Sequence, residues 1–142
     1  MIYFTGDVHG QIDDLLRRLD YKKIPHTADQ IIVLLGDVGV NYNRTLNEYV
    51  HKQKLQDSGR TYFCIHGNHE MRPENIETYH EKSNEFGTFY VEDNYPNLLF
   101  AKDGEIYNLD NRKVLVLGGA YSVDKWYRLS SGYQWFADEQ IS

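Results

Sequence analysis

The stretch Ile31-Ile32-Val33-Leu34-Leu35, followed at once by Gly36-Asp37-Val38-Gly39, decides the fold class. Five apolar residues without alternation indicate a strand covered on both faces, the habit of a central parallel strand rather than of a half-solvated antiparallel one. Its Gly-Asp exit has two counterparts. Gly6-Asp7-Val8-His9-Gly10 follows the apolar run Ile2–Thr5, and Gly67-Asn68-His69-Glu70 follows Thr61–Ile65. Asp7 precedes Asp37 by thirty residues and Asp37 precedes Asn68 by thirty-one, the length of a strand, a crossover helix and a returning strand. The chain therefore opens as βαβαβ, with three loops converging on one edge of one sheet.

The segments between the clusters fit this layout. Ile12, Leu15, Leu16 and Leu19 recur at helical spacing. Asp13 and Asp14 suit the first turn of that helix, and Pro25 lies beyond its end. Thr45 with Glu48 forms a capping-box pattern that opens a helix to about Asp57, with Leu46, Tyr49 and Val50 on one face and Ser58-Gly59 as its stop. Pro73 suits the first turn of a further helix over residues 73–82, with Ile76 and Tyr79 as apolar contacts.

From about Leu98 the pattern changes to short strands over residues 98–101, 105–109 and 113–117, separated by the turn pairs Asp103-Gly104 and Asp110-Asn111. The last two strands predict an antiparallel hairpin. The fold class is thus α/β, with a mixed β-sheet whose parallel βαβαβ half is followed by antiparallel strands. Residues 138–142 carry acidic residues in the manner of a first helical turn, and a helix that short has almost no intrinsic stability. No repeat, low-complexity tract or linker divides residues 1–142.

Composition limits the function classes. At 142 residues and 41% hydrophobic, the chain can bury one core as a single domain. A net charge of −6 disfavours a general grip on nucleic acid, which needs clustered Lys and Arg. The first residues lack a basic segment followed by a long apolar one, and no stretch approaches a membrane span. Cys64 is the single cysteine, so no internal disulfide forms, and a cytoplasmic protein is expected.

The three clusters carry the chemistry. Carboxylate, imidazole and amide oxygen hold divalent manganese, iron or zinc, and Asp7, His9, Asp37 and Asn68 supply one such set. Asp7 and His9 reach one ion if the backbone curls between them, which the flanking Gly6 and Gly10 permit. Asp37 is the natural bridge to a second ion because its two oxygens can each bind one, and Asn68 offers a neutral oxygen to that ion. His26, His51 and His80 lie outside the clusters and are expected on the surface or on helix faces. His66 either lies beside the ligands or packs in the core. A dinucleotide or P-loop site is disfavoured, because the first βα turn carries neither Gly-x-Gly-x-x-Gly nor Gly-Lys-Ser/Thr.

Gly-Asp-x-His-Gly, Gly-Asp and Gly-Asn-His-Glu, in this order, resemble the calcineurin-like metallophosphoesterase superfamily. The likeness covers about the first seventy residues strongly and residues 114–119 with the following loop more weakly. It implies a hydrolase of phosphate mono- or diesters, and a fold resembling half of an α/β sandwich of two mixed sheets. By that resemblance Asp7 and His9 bind one divalent ion, Asp37 bridges, Asn68 binds the second, and His69 is the acid that protonates the leaving oxygen. The ions are manganese, iron, zinc or nickel, and a water activated between them is the nucleophile. The run from Gly118 to Arg128 is similar to a segment of phage-like and bacterial members, with Tyr121, Lys125 and Arg128 as substrate contacts. Arg44 is a further candidate for reaching phosphate.

Two departures from the family pattern stand out. The phosphoprotein phosphatases continue their second motif to an Asp-Arg pair, where this chain has Val40 and Asn41. The superfamily also completes its metal shells with histidines from its C-terminal half, and none of the sixty-two residues after His80 is a histidine. This predicts an N-terminal portion of a longer enzyme, with the inner face of the sheet exposed unless another chain or a further segment covers it. Such a face, in a chain with twelve tyrosines, makes self-association a further expectation. The alternative to a phosphoesterase is a truncated or degenerate module that binds metal or phosphate without catalysis.

Overall fold

A computed structural model of the chain describes residues 1–140. Strand β1 (Ile2–Thr5) leads through helix α1 (Ile12–Tyr21) to β2 (Ile31–Leu35), and helix α2 (Leu46–Asp57) leads to β3 (Thr61–Ile65). A 3-10 turn at Pro73–Asn75 precedes β4 (Tyr79–Asn84), β5 (Gly87–Glu92) and β6 (Leu98–Ala101). Strands β7 (Ile106–Leu109) and β8 (Arg112–Leu115) and helix α3 (Lys125–Ser130) follow. Six strands form one sheet in the order β1-β2-β3-β6-β5-β4, parallel from β1 to β6 and antiparallel at β5 and β4.

The unalternating apolar run of β2 has the predicted cause. Ile32 and Leu34 face α1 and α2, packing with Ile12, Leu15, Leu19, Leu55, Tyr62 and Cys64. Ile31 and Val33 face the opposite way, packing with Phe63, Phe89, Leu99 and Tyr107. That second layer is the β7–β8 hairpin, closed by Asp110 and Asn111 with φ of 53° and 62°, the left-handed pair a two-residue primed turn requires. Tyr107 anchors it: its ring meets Phe63 edge-on at 4.8 Å and its hydroxyl donates to the Thr88 carbonyl. The hairpin therefore covers the sheet face over β3, β5 and β6. Coverage fails at the β1 edge, where Phe4, in register with Val33 and Phe63, stays 62% exposed.

Four expectations are corrected. Residues 73–82 are a 3-10 turn and the edge strand β4 rather than a helix, because only Ile76 and Tyr79 are apolar there and the segment draws its hydrogen bonds from β5. The partner β5 carries a plain strand signal in Thr88-Phe89-Tyr90-Val91. Helix α2 does not pack through Leu46 and Val50, which are exposed, but through Leu55 and two charged residues, Glu48 and Lys52. Glu48 is consumed by the capping box, and Lys52 Nζ donates to Glu92 Oε1 at 2.5 Å in the core while lying over the rings of Tyr49 and Tyr79. The third strand of the second half ends at Leu115 rather than 117. Asp138–Gln140 form turns rather than a helical start, and residues 141–142 lie outside the described residues.

Candidate metal centre

The three parallel strands deliver the three clusters to one edge, and the loops are stitched to each other before any ligand is considered. The His9 N–H donates to the Asp37 carbonyl at 2.7 Å, and the Gly10 N–H donates to the Val38 carbonyl at 2.9 Å. His9 and Asp37 both take left-handed backbone, with φ of 47° and 44°. Two glycines allow the contact. A Cβ on Gly39 would fall 2.1 Å from Gly10 N, and one on Gly67 would fall 1.9 Å from Asp37 Oδ1, so no side chain fits at either position.

Ligand atoms of Asp7, His9 and Asp37 lie within 4.8 Å of one another. His9 Nε2 stands 3.5 Å from Asp7 Oδ2 and 3.8 Å from Asp37 Oδ2. Two carboxylates around one imidazole, with exposed Asp7 and His9 over a buried Asp37, are a donor set of the kind that fits a divalent ion. Asp37 lies between two clefts. With His9, Tyr42, Asn43, Asn47, His51 and His69 it lines one of about 530 Å³; with Asp7, Asn68 and Gly118 it lines another of about 290 Å³. Asn68 Nδ2 donates to Ser122 Oγ at 3.1 Å, so the amide oxygen is the atom left to act as a ligand.

His69 leans on the same carboxylate. Its backbone N–H donates to Asp37 Oδ1 at 2.9 Å, and its Nδ1 lies 2.9 Å from Asp37 Oδ2. Its Nε2 lies 3.2 Å from Asp124 Oδ2. Burial alone pulls the pKa of His69 down, but the hydrogen bonds to Asp37 and Asp124 outweigh it and hold the imidazole above its ordinary value. An imidazole held between two carboxylates in this way has its protonated form stabilised.

A model of the calcineurin-like phosphoesterase family matches residues 1–141. The chain belongs to this family. No curated protein and no solved structure gives a significant match. Metal-dependent cleavage of phosphate esters is the chemistry of the family, and the Asp7, His9 and Asp37 group is one that could hold a metal ion.

The other sequence-derived candidates are dispersed. Arg44, with φ of 55°, sends Nη2 to Glu77 Oε1 at 3.3 Å, while its neighbours Asn43 and Thr45 line the larger cleft. Tyr121 is exposed, and Lys125 Nζ sits 3.9 Å above the ring of Trp135. Arg128 is 3% exposed, with Nη2 donating to Glu139 Oε1 at 2.7 Å and Nε donating to the Gln134 carbonyl at 2.7 Å. It holds a strap, residues 119–140, against the site. Ser122 Oγ donates to Glu139, and the Ala120 N–H donates to the Glu139 carbonyl at 2.9 Å. Val40, standing where the phosphoprotein phosphatases have Asp, is buried.

Three further residues matter to the site. Glu70 is 1% exposed and accepts from the Val38 N–H, bracing the second loop from behind. Burial pushes its carboxyl up to about 8, against the opposing pull of that hydrogen bond. His66 is buried, with Nε2 2.9 Å from Asp103 Oδ2, and Asp103 Oδ1 accepts from the Gly118 N–H at 2.8 Å. His51 lines the larger cleft, its buried Nδ1 unpartnered among the described residues.

Proposed function

We propose that the chain hydrolyses a phosphate mono- or diester, with Asp7 and His9 holding one divalent ion, Asn68 a second and Asp37 both, and with His69 as the proton donor. The observation that carries this is the placement of Asp37 between the two clefts with His69 Nδ1 on its Oδ2 at 2.9 Å. Manganese, iron, zinc or nickel at these donors would neutralise phosphoryl charge and lower the pKa of water. The protein's own contribution is position. The stitched loops hold Asp7, His9 and Asp37 together, Ser122 fixes the Asn68 amide, and the His69 ring keeps Nδ1 toward the carboxylate where an ester oxygen would depart. The larger cleft then receives the leaving group.

No helix among the described residues is long and apolar enough to cross a membrane, and the lone, buried Cys64 suits a reducing compartment. Release of phosphate from an aryl phosphate, or of nitrophenol from an aryl diester, by the manganese-loaded chain tests the proposal. Asp37→Asn is expected to abolish both manganese binding and turnover, and His69→Gln to lower turnover at unchanged manganese affinity. A chain that binds manganese by calorimetry yet turns over neither ester would replace this proposal with the non-catalytic binding module.

A further inference from the structure

Asp124 enters the site from far along the chain, and no feature of the three clusters calls for it. Its Oδ2 lies 3.2 Å from His69 Nε2, on the side of the ring opposite Asp37. The two ring nitrogens therefore have different surroundings. Nδ1 lies on Asp37, which lines the larger cleft together with His69, whereas Nε2 lies on Asp124 of the strap.

Asp124 does not reach His69 as a loose surface side chain. Its carbonyl accepts from the Arg128 N–H at 2.9 Å at the start of α3, and its Oδ1 lies 3.7 Å from Arg128 Nη1. Arg128 is itself locked by Glu139, Ser122 and the Gln134 carbonyl. The strap is pinned to the third loop at two further points: Ser122 Oγ accepts from Asn68, and the Gly119 N–H donates to the His66 carbonyl at 2.9 Å. The nearby Glu70 is turned to the Val38 N–H and buried there. Among the described residues, the hydrogen-bonding carboxylates on the His69 ring are Asp37 and Asp124.

We propose that Asp124 is a positioning residue for His69, holding the ring by Nε2 so that Nδ1 stays beside Asp37 at the cleft that both residues line. The proposal rests on His69 being the proton donor. It assigns the ring the arrangement in which one nitrogen exchanges a proton with the reacting group while a carboxylate fixes the other. As the oxygen of a water bonds to phosphorus and the ester P–O bond breaks, the electron pair of that bond goes to the leaving oxygen, which takes the proton from Nδ1. The attacking water releases a proton to solvent, the ring takes one back from solvent, and Asp124 stays ionised throughout.

Two measurements on the full chain test this. The first compares the manganese-loaded chain with Asp124→Asn and Asp124→Glu on p-nitrophenyl phosphate, whose leaving group needs no protonation, and on an alkyl phosphate, whose leaving group does. Asp124→Asn is expected to lose kcat on the alkyl ester by about tenfold or more, with KM unchanged and the nitrophenyl ester little affected. Asp124→Glu is expected to recover part of the loss. Equal losses on both esters would mark Asp124 as merely structural and overturn the proposal.

The second measurement needs no turnover. In the metal-free chain, the His69 imidazole proton at Nε2, identified by its loss in His69→Gln, is expected as a slowly exchanging downfield NMR signal. That signal is expected to vanish in Asp124→Asn while the backbone amides of residues 126–139 keep their shifts. A signal unchanged in Asp124→Asn refutes the contact, and with it the proposal, even if the chain hydrolyses no ester. Alkyl-ester turnover that survives His69→Gln would instead remove the proton-donor assignment on which the proposal stands.

Discussion

Glu70→Gln is expected to stabilise the chain, by an amount that grows with pH. Burial raises the carboxyl from the ordinary value of 4.5 to about 8. Between those two values the folded chain keeps a proton that the unfolded chain has already released, so stability falls as pH rises. The slope is about 1.4 kcal/mol per pH unit, and the loss across the whole window is on the order of 5 kcal/mol. Below the window both states hold the proton and the penalty vanishes; above it both are ionised and the loss is constant. Gln keeps an oxygen for the Val38 N–H but has no proton to lose. Urea unfolding, followed by circular dichroism with a chelator present, should give variant and wild type equal stability near pH 5, and a variant more stable by roughly 2–4 kcal/mol near pH 8. Glu70→Ala should instead lose about 1–3 kcal/mol at every pH by stranding the Val38 donor. Parallel pH curves for Glu70→Gln and wild type would refute the claim that Glu70 is buried as a neutral acid.

Gly67→Ala places a methyl group on Asp37 Oδ1. The second loop must yield, so a stability loss of about 1–3 kcal/mol is expected together with weaker manganese binding in a titration; unchanged affinity would show that the loops are not in contact. Arg128→Leu leaves Glu139, 2% exposed, buried without its cation. That is expected to cost about 3–5 kcal/mol in chemical denaturation. The double change Arg128→Leu with Glu139→Leu should recover part of this, and a double variant no better than the single one would argue against a coupled pair.

The parallel half and the convergence of its three clusters on one edge were legible because both follow from local rules. A strand covered on both faces shows as an unbroken apolar run, as in Ile31–Leu34, with Leu35 emerging at the exposed end, and a crossover of fixed length sets the thirty-residue interval. The polar strand Tyr79–Asn84 was not legible, because an edge strand needs no buried face and takes its order from the neighbour it pairs with. Helix α2 misled for a related reason. It buries Lys52, whose partner Glu92 lies forty residues on, so the packing face is set by a pairing that no helical periodicity reveals. The same holds at the site. Arg128 has the look of a substrate cation until Glu139 is placed beside it, and Asp124 is fifty-five residues from the histidine it meets.

The left-handed backbone at His9 and Asp37 has an evolutionary edge. Each non-glycine residue held there costs roughly 1–2 kcal/mol, and glycine would relieve the cost at the expense of a ligand. At Asp37 the cost is offset by the hydrogen bonds its buried carboxylate takes from the His69 N–H and ring, whereas the half-exposed His9 side chain has no such return. A library of this chain screened for heat resistance alone should therefore enrich Gly at residue 9 and keep Asp at residue 37. A screen for manganese binding should restore His at residue 9, so the two selections separate what the loop holds from how well it folds.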